Sequence, residues 1–279
     1  MKNIPRRNDH HLKKISFYIV AHADDWQLFM QPNIYKDLVS PGCKVVIIIV
    51  TAGDSGRSEI FCRAREEGSK SSLRYCLAPF VDITEADGKK KFNTHDVAYS
   101  MINDTTSYFL RLPDGNLDGC GFAKYNFQSL AKLKENKIES IEAIDNSATY
   151  KSWADFTLTL EAILTHEIEL IHNIHINYPN PDKVKNCDDH LDHLMVGKAM
   201  ENLSIKQKST RFLFTGYDVS AKPEMLSPTE LFWKTGAFAA YEKTVYDICG
   251  YSTLAENPNI YKNWCTATSK FETLDNRSL

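Results

Sequence analysis

The hydrophobic pattern of the chain switches between two periods. Ile15 begins a short unbroken apolar run, ISFYIV, that stops abruptly at His22-Ala23-Asp24-Asp25. A run of this kind reads as a buried strand, and charges placed where it stops lie at the mouth of a sheet. The next segment, WQLFMQPNIYKDL, has helical apolar spacing, with Pro32 requiring an irregular turn before a new helix starts. Lys44 to Thr51, KVVIIIVT, is a β-branched run typical of a parallel strand covered on both faces, and it ends in the loop TAGDSGR. Ser58 to Leu77 reads as an amphipathic helix. The order strand, helix, strand, helix is the signature of a doubly wound sheet.

Residues 86–105 are polar and break the alternation. The segments DVAYSMI and SYFLRL, separated by NDTT, predict a hairpin between Asp96 and Leu112, and the second ends in Leu112-Pro113-Asp114-Gly115. Ser152 opens a long helix with a capping-box-like SWAD, IHNIHINYP follows as an inner strand, and DDHLDHLMVGKAMENL is a helix with His190 and His193 in its first turn. Residues three apart share a helix face, so both imidazoles point the same way. RFLFTGYDV then predicts a strand and LSPTELFWKTGAFAAYEKTVYDI a helix opened by Ser-Pro. The pattern predicts an α/β fold with a mostly parallel central sheet, residues 1–279 forming one domain and residues 1–14 a flexible lead-in.

Composition narrows the partners. With 43% hydrophobic and 25% charged residues the 279-residue chain has enough apolar material for a sizeable core. A formal net charge of -3 gives no basic footprint for nucleic acid, and the KKK run at Lys89 to Lys91 reads as a solvated loop. No apolar run approaches the ~18 residues of a membrane span. Seven cysteines without CxxC spacing fit reduced thiols in a cytoplasmic protein.

The chemistry follows from the strand ends. Catalytic zinc takes three protein ligands from separate elements and keeps a fourth position open. His22 and Asp25 come from one strand end and His193 from a distant helix start, which leaves Asp24 beside the metal as a base and His190 to stabilise an oxyanion or to protonate the leaving amine. The bland readings are specific too. Asp24 and Asp25 could cap a helix, Asp188 and Asp189 read as caps, and Asp192 fits a solvent-facing helix position as well as any other. GDSG reads as a tight turn lining the site, Tyr150 and Trp153 as core, and His10, His11, His95, His166, His172 and His175 as non-ligands.

AHADD followed much later by HLDH resembles the PIG-L/LmbE-like zinc-dependent N-deacetylases, which carry AHPDDE and a distal HxxH and act on N-acetylglucosamine-type substrates. TAGDSG with Arg63 and Glu66, LPDG at Leu112 to Gly115, and KTGAFAAY at Lys234 to Tyr241 extend the likeness over most of the chain. The resemblance implies a Rossmann-like three-layer fold, with His22, Asp25 and His193 as zinc ligands, Asp24 as general base and His190 polarising the intermediate. It puts Arg63 and Asp114 at substrate hydroxyls. Ala23 and Trp26 depart from the usual proline and glutamate, and Trp26 is expected either to change the hydrogen bonding behind the metal ligands or to stand in the pocket wall, against the substrate. The implied activity is removal of an N-acetyl group from an amino sugar or related polar metabolite, releasing acetate. The alternatives are another N-acyl amide or ester, or a degenerate metal-binding protein. Iron, cobalt or manganese suits a His2Asp set as well as zinc, and a homo-oligomer is open.

Overall fold

The structure, a computed structural model, describes residues 12–168, 171–205, 209–221 and 226–275. In chain order the elements are β1 (Lys14–Val20), α1 (Asp25–Phe29), α2 (Asn33–Leu38), β2 (Cys43–Thr51), α3 (Glu59–Leu77), β3 (Glu85–Phe92), β4 (His95–Ile102), β5 (Thr105–Leu112), α4 (Leu130–Lys134), β6 (Ile141–Glu142) and β7 (Thr149–Tyr150). There follow α5 (Trp153–Ile168), β8 (Ile174–Pro179), α6 (Leu191–Glu201), β9 (Thr210–Phe214), α7 (Pro228–Cys249), α8 (Thr253–Glu256), α9 (Pro258–Thr266) and β10 (Phe271–Asp275). Of the predicted flexible lead-in 1–14, residues 1–11 lie outside the described residues, and Lys14 already belongs to β1.

Eight strands form one sheet in the order β10-β9-β8-β1-β2-β5-β4-β3. Its centre, β9-β8-β1-β2-β5, is parallel, and β4, β3 and β10 add antiparallel edges. The period-2 alternation divides the strands between two cores. Phe17, Ile19, Val46 and Ile48 pack with Leu130 of α4, Phe156 and Leu160 of α5 and Leu194 of α6 on one face. Tyr18, Val20, Ile47 and Ile49 pack with Trp26, Leu38, Leu73 and Phe238 on the other. The three-layer α/β architecture is the predicted one.

Two features differ from the pattern-based expectation. The lysine run is not a loop: Lys89, Lys90 and Lys91 pair with Ala98, Val97 and Asp96 in β3, an exposed edge strand. Lysines on an edge strand discourage pairing with other chains, so the polarity that hid the strand suits its position. The C-terminal α8, α9 and β10, together with the short α4, β6 and β7, are additional elements that the pattern did not predict.

Candidate active site

The parallel strands all deliver loops to one end of the sheet. β1 and β2 are fastened there, Ala21 O accepting both the Thr51 N–H and the Thr51 hydroxyl at 2.9 Å. The chain then turns, and the His22 N–H donates to Asp25 Oδ2 at 2.8 Å. Asp24 occupies the N-cap position of α1, but its side chain makes no capping bond. It pairs instead with buried Arg65 of α3, whose other nitrogen donates to Gly53 O at 2.5 Å. Gly53 has φ +55°, and a Cβ there would stand 3.0 Å from both Arg65 Cζ and His22 Cδ2, so the β2 loop can pass this close only as glycine.

The structure brings His22, Asp25 and His193 together. Asp25 Oδ1 lies 3.5 Å from His22 Nδ1 and 3.2 Å from His193 Nε2, and the two ring nitrogens are 3.3 Å apart. Tetrahedral bonds of about 2.0–2.1 Å require ligand atoms about 3.3–3.4 Å apart, so the three atoms already have the spacing a divalent cation of this kind needs. Each imidazole is also backed by a carboxylate through its other nitrogen. His193 Nδ1 meets Asp189 Oδ1 at 2.7 Å, and His22 Nε2 faces Asp192 Oδ2 at 3.6 Å. Acids behind ligand histidines fix the tautomer and raise basicity.

Asp189 is therefore not the cap that the sequence suggested, nor Asp192 the solvent-facing residue that it allowed. The cap of α6 is His190, whose Nδ1 accepts from the Asp192 N–H at 3.2 Å. Asp192 is fully buried and accepts from the Gly115 N–H at 2.9 Å. Two glycines make room for these carboxylates: a Cβ on Gly115 would sit 2.5 Å from Asp192 Oδ1, and one on Gly216 would sit 2.3 Å from Asp189 Oδ2.

Burial alone would discharge His22 and His193, but the surrounding carboxylates outweigh it, pushing His22 up to about 10 and His193 well above its ordinary value. Asp25 goes the other way: burial would raise it, and the two histidines hold it well below the usual carboxylate range. A field that favours protons on these rings also favours a cation in their place. His190 differs. Burial, followed by the neighbouring His22 charge, pushes it down to about 4, so this ring is neutral near pH 7. With Nδ1 accepting from the backbone, its proton is on Nε2, 3.6 Å from Asp114 Oδ1.

A cavity of ≈ 290 Å³ opens over this cluster, lined by His22, Asp24, Asp25, Arg65, Asp114 and His190. Tyr217, Tyr251, Tyr261 and Trp264 supply its other side. Larger hollows of ≈ 540 and ≈ 610 Å³ lie elsewhere, one at the amino ends of the strands by Lys44 and Glu167, one beside α3 by Arg63 and Arg111. Neither adjoins the His/Asp cluster, so chemistry rather than size selects the site.

Three other predicted positions divide. Asp114 lines the cavity and accepts from the Ser55 and Asn116 N–H groups at 3.1 and 2.8 Å. Arg63 is not brought there: it is exposed, 3.3 Å from Glu59 and 3.6 Å from Asp145, and Arg65 two residues on takes the inward position. Trp26 is 0% exposed in the core beneath, donating to Ser69 Oγ at 2.9 Å, so it meets α3 and not the pocket. Gly53 to Gly56 forms a turn beside the site. His10 and His11 lie outside the described residues.

Fold and site together define an α/β protein with a buried His/Asp cluster, suited to a divalent cation, at the carboxyl ends of a parallel sheet. The chain belongs to the PIG-L (GlcNAc-PI de-N-acetylase) family, whose model matches residues 17–204 and so spans every residue from His22 to His193. No curated protein matches the sequence. Among solved structures, a deacetylase of the teicoplanin biosynthesis pathway, crystallised as a bog complex, is 13% identical with a TM-score of 0.50 over 90% of this chain and 89% of its own. A triple mutant of a deacetylase from that pathway (Orf2*T) is 10% identical with a TM-score of 0.51, over 94% and 98%. At such identities the likeness is one of fold.

Proposed function

We propose that this protein is a zinc-dependent hydrolase that removes an N-acetyl group from an amino sugar or related small polar metabolite in the cytoplasm. The observation that carries the reading is the separation of tasks between neighbours: three ligand atoms 3.2–3.5 Å apart, and Asp24 beside them held by Arg65 instead of a ligand position. Family membership supports the acetamide as the bond.

His22 Nδ1, Asp25 Oδ1 and His193 Nε2 would hold the zinc. When bound there, zinc polarises the amide carbonyl and lowers the pKa of a coordinated water to about 7. Asp24 takes the proton of the attacking water and returns it to the departing nitrogen, its carboxylate aimed by Arg65. His190 donates its Nε2 proton as a hydrogen bond to the oxyanion; being neutral, it acts as a donor and not as an acid. Asp114 accepts from a substrate hydroxyl. The aromatic side of the cavity favours a second reading, in which the same site cleaves another N-acyl amide or an ester.

The test is metal analysis of the purified protein together with acetate release from a panel of N-acetylated sugars, acylated amines and esters. Wild type is expected to carry one divalent ion per chain, and His193→Ala to lose it along with at least about a thousandfold in rate. A protein without metal whose His193→Ala variant turns over normally would overturn the reading.

A further inference from the structure

β5 contains a local irregularity outside the His/Asp cluster. Between the pairs Ile49↔Phe109 and Thr51↔Leu112, β5 has one residue more than β2. Within this bulge Arg111 has φ +56°, the one non-glycine residue inside a strand with positive φ among the described residues. A branched or long side chain is costly there, so the surroundings must hold it. They do: the buried guanidinium forms a fork on Glu66 of α3 at 2.6 and 2.7 Å and reaches Asp145 Oδ2 at 2.6 Å. Its carbonyl also accepts from the Ile144 N–H at 2.9 Å.

A one-residue bulge exchanges the faces of the strand residues that follow it and bends the strand, and so changes the direction in which the chain leaves β5 after Leu112. The residue that follows by three is Asp114, which faces His190 and lies in the cavity. We propose that Arg111 is a positioning residue: its left-handed turn, clamped by Glu66 and Asp145, re-aims the end of β5 so that Asp114 enters the site. The assignment gives Glu66, part of the motif read in the sequence, the task of holding an arginine in a turn that glycine would adopt unaided. Its catalytic consequence rests on the hydrolase reading above.

Two substitutions separate this role from an ordinary ion pair. Arg111→Gly and Arg111→Val both remove the fork, but glycine accepts the left-handed turn and valine rejects it. Arg111→Gly is expected to retain kcat/KM within about threefold, and Arg111→Val to lose about a hundredfold, as misplacement of a group by about an ångström does. In the Asp114→Asn background the valine substitution should cost nothing further. Equal losses in both variants, or an undiminished loss in that background, would overturn the proposal. Crystal structures of the two variants, with Arg111→Ala replacing valine if the latter does not fold, decide the matter without activity. Asp114 is expected to stay beside His190 in the glycine variant and to leave it in the other. Retention in both refutes the positioning role, whereas a wild type without hydrolase activity refutes only the reading it rests on.

Discussion

The two sides of the cavity are built by different rules. The floor comes from strand ends and the turns after them: His22, Asp24 and Asp25 after β1, Asp114 after β5, His190 and His193 after β8. All fall inside the stretch matched by the family. The opposite side, Tyr217, Tyr251, Tyr261 and Trp264, comes from beyond residue 204, from a loop and short helices. Its side chains interact by ring contact: Tyr217 and Trp264 stack at 4.5 Å, and Phe29 meets both at 5.8 and 5.4 Å. A floor of charged groups with fixed partners tolerates little change, whereas the wall is tied to it through Tyr217, whose ring lies 5.3 Å from that of His193 and whose N–H donates to Asp189 Oδ1 at 3.2 Å, and the other rings can change with less effect on the chemistry beneath. Under the proposed function, the difference would give the floor the reaction and the wall the selection of substrate.

The sharpest way to break that division is at Asp24. Asp24→Asn keeps volume and the Arg65 contact but cannot take a proton, so kcat is expected to fall about 10²–10⁴-fold while metal content stays at the wild-type level. Loss of metal in this variant would mean that Asp24 is a ligand, and the two adjacent acids would no longer have separate tasks. The next effect lies one layer out. Asp189→Asn still meets His193 Nδ1 but cannot supply charge, and weakening of such an outer partner typically costs about 10–100-fold in metal affinity or activity. Competition with a chelator measures it; an unchanged affinity would reduce Asp189 to a packing residue.

Much of the floor was legible in the sequence because strand ends are. An apolar run of period 2, or one buried on both faces, has a visible end, and a carboxylate placed there stands at the rim of the sheet, where a site can form. The helices α3, α5, α6 and α7 were likewise visible in their spacing. What could not be read was rotation about a helix axis at single-residue precision. Arg63 and Arg65 stand two apart, hence about 200° around α3, and only packing of α3 against α7 decides which one faces the cavity. The two helices approach closely at Gly68 and Gly236: a Cβ on Gly68 would stand 2.7 Å from Tyr241, and one on Gly236 would stand 2.0 Å from the Tyr75 hydroxyl. Trp26 failed for a related reason, since α1 turns its indole into the core. Asp189 and Asp192 were hidden by their polarity, which reads as surface until the histidines they serve are in place. The wall was least legible, because its residues come from a loop and from short elements past α7 that are brought over the floor only by the folded chain.

The wall offers the third test. Trp264→Leu removes the stack on Tyr217 and the 3.2 Å bond from its Nε1 to Tyr217 O, but touches no group of the floor. If the wall selects, kcat/KM should change by about three- to tenfold and in opposite senses for different acceptors, a single buried apolar contact being worth roughly 1–3 kcal/mol in discrimination. A uniform drop across the panel, with kcat falling and KM unchanged, would place the wall in the reacting half after all.

The smallest effect on chemistry, and a separate one on stability, belongs to Lys234, which anchors the wall. Its side chain is fully buried on α7 and donates to Ala267 O at 2.6 Å, just past α9. Burial pushes the amine down to about 7, and the Cys265 thiol offsets this only slightly. The unfolded chain takes up a proton here at any pH below about 10.4, while the folded chain does so only below about 7. The neutral amine's full contribution to stability is therefore present above the unfolded value, and it is lost as pH falls toward 7. Lys234→Met removes the titration along with a hydrogen bond worth about 1 kcal/mol. The variant should be more stable than wild type at pH 7, and this advantage should shrink steadily up to pH 10, with turnover unaltered. Paired denaturant titrations at several pH values measure the difference; a gap independent of pH would show that Lys234 keeps its charge in the folded protein.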